Sequence, residues 1–328
     1  MSRHPFDRRH LLGLLAAASA LSRGAAAQGA FPTRPVTLVV AFPPGASTDV
    51  TARRIAPRAS AQLGHPLVVE NRTGAAGNLA AGYVARAAPD GYTLLHTNYV
   101  SLLIAKAANM RLDFDPVDAF VPVAQIGPNV NMLVVRPDLP VRGLPDLVAL
   151  AQRDPDKLTM GTIGNGSAYH MGLEWLNLAF GMKITHVPYR GAAEAVNDLL
   201  GNRIDMMFSS LTLARPHLEA GRMRAIAITN LERAPMFPDL PTIASQGVPG
   251  FDLMTQTAIF APAGAPAASV EKVNGAINAA LADPQIKAQL EADGVILTPM
   301  TPAAFQDQFR GQLATIRDVF ARTGIRLE

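Results

Sequence analysis

The feature that most constrains the fold is an alternation. After Phe31, short apolar β-rich runs are each followed by a segment of helical pattern. Strands are predicted at Val36–Ala41, Leu67–Glu70, Tyr92–Thr97, Met132–Val135, Leu158–Thr162, Ile184–Val187, Ile204–Phe208 and Met223–Thr229. Several are unbroken runs of Val, Ile, Leu and Met, the pattern of strands covered on both faces by helices, as in a parallel sheet. Helices are predicted at Asp49–Leu63, Asn78–Ala88, Leu144–Gln152, Ala168–Phe180 and Ala192–Leu200, with Gly64, Gly181 and Gly201 as C-terminal stops. The fold class is α/β, doubly wound.

A chain of 328 residues with this many strands calls for two sheets rather than one. The proline-rich stretch Pro116–Pro128 is the expected first crossing between lobes, and Pro235–Pro262 the expected return. Lobe one then comprises 28–127 and 262–328, and lobe two 128–261. C-terminal helices around Ala268–Leu281 and Ala303–Arg322 are expected to pack back on the first lobe. No internal repeat of fixed period is present.

The first 27 residues read as an export leader. Arg3, Arg8 and Arg9 precede the apolar run Leu11–Leu21, and Ala25-Ala26-Ala27 supplies the small residues that a signal peptidase needs. Cleavage is expected near Ala27, by the Sec or the twin-arginine route, giving a periplasmic protein. The run is about half the ~20 residues that span a bilayer. This leader carries four arginines against Asp7, so the formal charge of +3 disappears with it. A neutral body without a Lys/Arg stripe gives no footprint for nucleic acid. Cysteine is absent, which excludes disulfides, thiolate metal sites and cysteine nucleophiles.

Polar chemistry concentrates where predicted strands end. Phe42-Pro43-Pro44-Gly45-Ala46-Ser47-Thr48-Asp49 joins a strand to a helix, so backbone N–H groups and the positive end of a helix dipole point outward. Ser47, Thr48 or Asp49 is the expected N-cap, and Asp49 is assigned to capping rather than to a ligand. Gly161-Thr162-Ile163-Gly164-Asn165-Gly166-Ser167 is a second such junction. Thr97-Asn98, Tyr189-Arg190-Gly191 and Ser209-Ser210 also end strands. In open α/β sheets ligands bind outside the carboxyl ends of strands, so these points belong together. Arg190 can pair a carboxylate, and can equally be a solvated loop residue.

Other chemistries find little support. No Lys follows Gly45 or Gly166, so no P-loop exists, and Gly74-Ala75-Ala76-Gly77 is a turn rather than a dinucleotide fingerprint. The histidines lack two-ligand helical spacing, so no metal site is expected and no cofactor is implied. Ser167 and His170, with Asp205 as a distant third, are the remaining candidates for a serine-type hydrolase, but no Gly-x-Ser-x-Gly elbow surrounds Ser167. No catalytic group is assigned.

Taken together, Arg34-Pro35-Val36 through Asp49, Val68-Val69-Glu70-Asn71-Arg72-Thr73-Gly74-Ala75-Ala76-Gly77-Asn78, Ala88-Pro89-Asp90-Gly91-Tyr92-Thr93-Leu94-Leu95, His186-Val187-Pro188-Tyr189-Arg190-Gly191 and Phe260–Pro266 form a set. In order and spacing it resembles the Bug family, the substrate-binding receptors of tripartite tricarboxylate transporters. The resemblance implies a periplasmic binding fold of type II, two lobes closing on a small organic carboxylate, and membrane transporter subunits as partners of a monomer. It also implies lobe-one contacts from Phe42, Pro44, Gly45, Ala46 and Ser47 with Thr97 and Asn98. The implied lobe-two contacts are Gly164, Gly166, Ser167 and His170, with Tyr189 and Ser209 nearby. Three departures stand out: Ala46 replaces the family's usual second glycine, Arg190 stands where Lys is frequent, and Ser209-Ser210 replaces a common acid. The last points to a ligand without an amino group. A sensor feeding a membrane signalling partner would use the same pocket.

Overall fold

A computed structural model describes residues 31–327 except Pro235 and Met254. The leader, its arginines and the cleavage point near Ala27 lie outside the described residues. Two five-stranded sheets organise the chain.

The first unit begins with β1 (Val36–Val40), α1 (Ser47–Leu63), β2 (Leu67–Asn71), α2 (Asn78–Ala85), β3 (Thr93–Asn98) and α3 (Tyr99–Ala107). Its β1 pairs in parallel with both β2 and β3. Then β4 (Phe120–Asn129) runs almost directly into β5 (Asn131–Val135), the first strand of the second unit. That unit continues with α4 (Leu144–Arg153), β6 (Thr159–Thr162), α5 (Ala168–Phe180), β7 (Thr185–Pro188), α6 (Ala192–Leu200), β8 (Met206–Ser210), α7 (Leu211–Glu219) and β9 (Arg224–Ile228). The chain returns through β10 (Thr255–Pro262) and ends in α8 (Ala267–Leu281), α9 (Pro284–Ala292) and α10 (Pro302–Thr323).

The strand orders are β2-β1-β3-β10-β4 and β7-β6-β8-β5-β9. Each sheet therefore has the same plan: three parallel strands, then an antiparallel strand that arrives from the other unit, then an outer strand. The parallel pattern expected from the sequence holds except at this inserted strand of each sheet. The inserted strands, β10 and β5, are buried along their whole length like the parallel strands beside them, so burial alone cannot distinguish their direction.

Two segments expected to be connections are strands instead. Pro116–Pro128 contains most of β4, and Pro235–Pro262 ends in β10. Prolines are tolerated there because β4 is the outer strand of its sheet, where a missing N–H costs no ladder bond on the open side. The chain thus changes sheets at Val130, whose N–H donates to Gly294 O at 2.7 Å and whose carbonyl accepts from Leu211 N at 3.0 Å.

Packing explains why the C-terminal helices belong with the first sheet. Phe305 and Phe309 of α10 meet Tyr99 and Phe260 with ring centroids 5.1–5.5 Å apart, and all four are fully buried. Aromatic pairs of this kind add about 0.5–1.5 kcal/mol each beyond area burial. The second unit has its own aromatic centre of Tyr169, Trp175, Phe208 and Phe251. Both cores hold the strand ends firm where the two units face each other.

Candidate binding site between the units

A narrow cavity with about 40 Å³ of room for water-sized groups lies between the two units. Its lining comes from four places. The first strand-to-helix loop contributes Phe42, Ala46, Ser47 and Thr48, and the end of β3 contributes Asn98. The second unit supplies Ile163, Tyr169, Ala192, Ser210 and Leu213, and the connecting strands supply Asn129, Thr255 and Thr257. None of these is Lys, Arg, His, Asp or Glu.

Helix starts dominate this wall. Ala46, not a polar residue, is the N-cap of α1 and makes no side-chain cap bond, which corrects the expected Ser47, Thr48 or Asp49 cap. Asp49 instead reaches back one turn and accepts the Gly45 N–H at 2.9 Å. It is held in turn by Arg53 at 3.0 Å and Asn71 at 2.8 Å. Burial pushes its carboxyl pKa up, but Arg53, the Gly45 N–H and Asn71 outweigh that and hold it below the usual carboxylate range. With Asp49 so engaged, Ser47 and Thr48 are free of capping. The first intrahelical bond is Val50 N to Ala46 O at 2.9 Å. The N–H groups of Ser47, Thr48 and Asp49 precede it and have no intrahelical acceptor.

Asn98 caps α3 by accepting the Val100 N–H on Oδ1 at 3.2 Å. That bond fixes the amide's orientation, and its Nδ2 is buried without a partner in the protein. Ser210 is the N-cap residue of α7 yet makes no cap bond, and its Oγ is likewise buried and unpartnered. The Thr48 Oγ1 completes a set of three such groups on the cavity wall. A buried polar atom left without a partner costs about 1–3 kcal/mol. An acceptor brought to all three removes that cost, and the N-termini of α1, α3, α6 and α7 add favourable dipoles for a negative charge.

The connecting strands form a tight amide network behind this wall. Asn131 donates from Nδ2 to Asn129 O and to Thr255 Oγ1, both at 2.9 Å. Asn230 accepts the Asn131 N–H at 2.9 Å and donates to Asn129 O at 3.1 Å. Asn129 donates to Thr255 O at 3.1 Å.

The residues singled out from sequence divide into two groups. Phe42, Ala46, Ser47 and Asn98 line the cavity. Pro44 and Gly45 are exposed and are not among the cavity-lining residues. Thr97 points to the opposite face of β3 from Asn98, close under Gly77. Gly164 and Gly166 shape the second loop, both at positive φ, +107° and +72°. Ser167 is fully buried and caps α5 by accepting the His170 N–H at 3.1 Å. His170 accepts the Gly166 N–H on Nδ1 at 3.2 Å and stacks on His186 with centroids 3.9 Å apart. Tyr189 donates its hydroxyl to Asp198 at 2.8 Å, and burial followed by that carboxylate pushes its pKa up to about 12. Arg190 is exposed, its backbone N–H donating to Glu194. Ser209 turns away and donates to Ser210 O, leaving Ser210 on the wall.

The hydrolase constellation is not assembled. Ser167 Oγ accepts a backbone N–H, His170 Nδ1 is occupied by Gly166, and Asp205 is bound by Arg136 at 2.9 Å and by Thr159. Among the described residues, no group of His, Asp and Glu could hold a metal ion, and no helix is long and apolar enough to cross a membrane. Gly74–Gly77 is a 3₁₀ turn into α2, as expected.

Asn129, Thr255 and Thr257 escape sequence reasoning because they sit on the strands taken for connections. Tyr169 and Leu213 escape it because isolated apolar positions in helices signal only a core. The polar strand ends are the readable signal, and they lead to Asn98 and to Ser210, whereas Thr48 reads from sequence only as a candidate helix cap.

Two mixed α/β units with a helix-start cavity between them define a two-lobed solute-binding protein. Residues 51–320 match the family described as the tripartite tricarboxylate transporter family receptor, and the chain belongs to that family. It is 37% identical over 306 residues to a Pseudomonas sp. (strain P51) protein from the tcbD-tcbE intergenic region, covering 93% of this chain and 91% of the relative. It is 33% identical over 285 residues to BugT of Bordetella pertussis, covering 87% and 86%. Among solved structures, a protein of Rhodopseudomonas palustris with adipate superposes at a TM-score of 0.85 with 35% identity, covering 90% of this chain and 99% of the other. MatC of the same organism, with bound malate, gives 0.83 and 33% identity, covering 88% and 99%.

Proposed function

We propose that this protein captures a small organic carboxylate between its two units and delivers it to the membrane subunits of a tripartite tricarboxylate-type transporter. One observation carries the reading: Thr48 Oγ1, Asn98 Nδ2 and Ser210 Oγ are buried, unpartnered in the protein and on one cavity wall. All three can donate, and the surrounding helix N-termini favour an anion without any Lys or Arg. Relatives solved with adipate and malate support the same ligand class. The lining holds no acid to pair an ammonium, so the ligand carries no amino group. The two sheets act as the two lobes, the leader of residues 1–27 directs export to the periplasm with cleavage near Ala27, and the mature protein works as a monomer.

The test is a thermal-shift screen of the mature protein against mono-, di- and tricarboxylates, amino acids and neutral sugars. A carboxylate at a hundredfold excess over its dissociation constant should add about 2.7 kcal/mol of stability. A shift given by a neutral sugar and by no carboxylate would refute the ligand class.

A further inference from the structure

Gly191 has no backbone reason to be glycine. Its φ of −172° and ψ of 164° are extended values open to any residue. Its constraint comes from the other unit. A Cβ placed there would lie 2.5 Å from Cγ and 2.6 Å from Cδ of Pro43. Pro43 belongs to the loop after β1, whereas Gly191 is the N-cap of α6 in the second unit. The proline ring is rigid and cannot swing aside as a long side chain could.

Two neighbouring glycines of the second unit also meet the first. A Cβ on Gly164 would lie 3.4 Å from Ala76 N, and one on Gly166 would lie 2.4 Å from the Met110 sulfur. Those positions have positive φ and, at Met110, a flexible neighbour, so a substitution there mixes strain with sterics. Gly191 is the clean case.

We infer that Gly191 against Pro43 is the closure contact of the two lobes. The missing Cβ lets the start of α6 approach the first loop. Ala192 and Ala46 then line one cavity. Gly191→Ala adds a methyl group that holds the lobes apart while leaving each lobe's own packing untouched. The ligand then meets only half of its donors. The role of closure in retaining a ligand rests on the proposed binding function, whereas the contact itself does not.

The absence of cysteine makes the test direct, since introduced cysteines at exposed Gln62 and Lys183 take spin labels selectively. Interlobe distances are recorded for the wild type, Gly191→Ala, Pro43→Ala and the double variant, alone and with adipate or malate. The expected result is loss of the short-distance population in Gly191→Ala, and a drop of about tenfold or more in apparent affinity for whichever acid binds. Pro43→Ala removes the clashing Cγ and Cδ, so the double variant should regain closure, a coupling that a double-mutant cycle isolates. Closure of Gly191→Ala to the wild-type distance overturns the proposal, as does failure of Pro43→Ala to rescue it. If neither acid moves the wild-type distances, the carboxylate reading is in question. The crystal structure of Gly191→Ala then decides the latch alone, because an unchanged approach to Pro43 overturns it.

Discussion

Tyr169 donates its hydroxyl to Asn131 Oδ1 over 2.8 Å. The bond ties α5, which lines the cavity, to the first residue of the strand that follows the crossing. Both residues are buried. The cavity wall and the junction between sheets are therefore one hydrogen-bonded assembly.

Tyr169→Phe deletes that donor and leaves Asn131 Oδ1 buried without it. The expected loss is about 1–3 kcal/mol of unfolding free energy, measured by urea denaturation with an unchanged m-value. An unchanged midpoint would show that the bond contributes nothing.

Asn98→Asp separates capping from binding. The carboxylate still accepts the Val100 N–H, so α3 keeps its cap. The Nδ2 donor becomes a negative oxygen facing an anionic ligand. Calorimetry should show carboxylate affinity reduced by about a hundredfold or more, or about 2.7 kcal/mol, with the fold retained. Wild-type affinity in this variant would remove Asn98 from the site.

Asp49→Asn tests the loop clasp. The native carboxyl has a lowered pKa, so its stabilisation is fully present above the unfolded value of about 3.9 and is lost as pH falls through the folded one. The neutral amide weakens the bond from Gly45 and the pair with the half-exposed Arg53, the latter screened by solvent and worth about 1 kcal/mol or less. Melting temperature should drop at pH 7 and depend less on pH below about 4. A variant that melts at the wild-type temperature at pH 7 and keeps the wild-type pH dependence below about 4 would contradict this.

Two buried histidines set the acid limb at milder pH. Burial pulls His96 down to about 4, against a small opposing effect of Asp49. Burial, then the charge of His186, pulls His170 to about 4 as well. The groups facing His170 are His186, stacked on it, and Glu174, 3.9 Å from Nε2. Because the folded pKa lies below the unfolded value of about 6.5, stability is complete above pH 6.5 and declines down to about 4. His170→Gln keeps an acceptor for Gly166 without titrating. The slope of melting temperature between pH 6.5 and 4 should become shallower, and an unchanged slope would exclude His170 as a contributor.

Legibility followed periodicity and failed where prolines intervened. Helices Ala168–Phe180 and Ala192–Leu200 match their predicted bounds, since glycines or a cap fix both ends. Strands β4 and β10 look like connections in the sequence because Pro122, Pro128 and Pro262 argue against a ladder. Pro122 pairs opposite Phe260, and Pro128 opposite Gln256, on an edge that no local pattern reveals. The same error hid Asn129, Thr255 and Thr257. Conversely, the polar strand ends were visible, but only side-chain direction separates Asn98 from Thr97 and Ser210 from Ser209. Strand alternation carries that information only after the buried face is known.

The amide network at the crossings has a mechanical consequence. Asn129, Asn131, Asn230 and Thr255 bind the outgoing and returning strands to each other where they leave one sheet for the other. Two strands clamped in this way cannot bend independently, so any turning of one unit against the other would have to carry both crossings together.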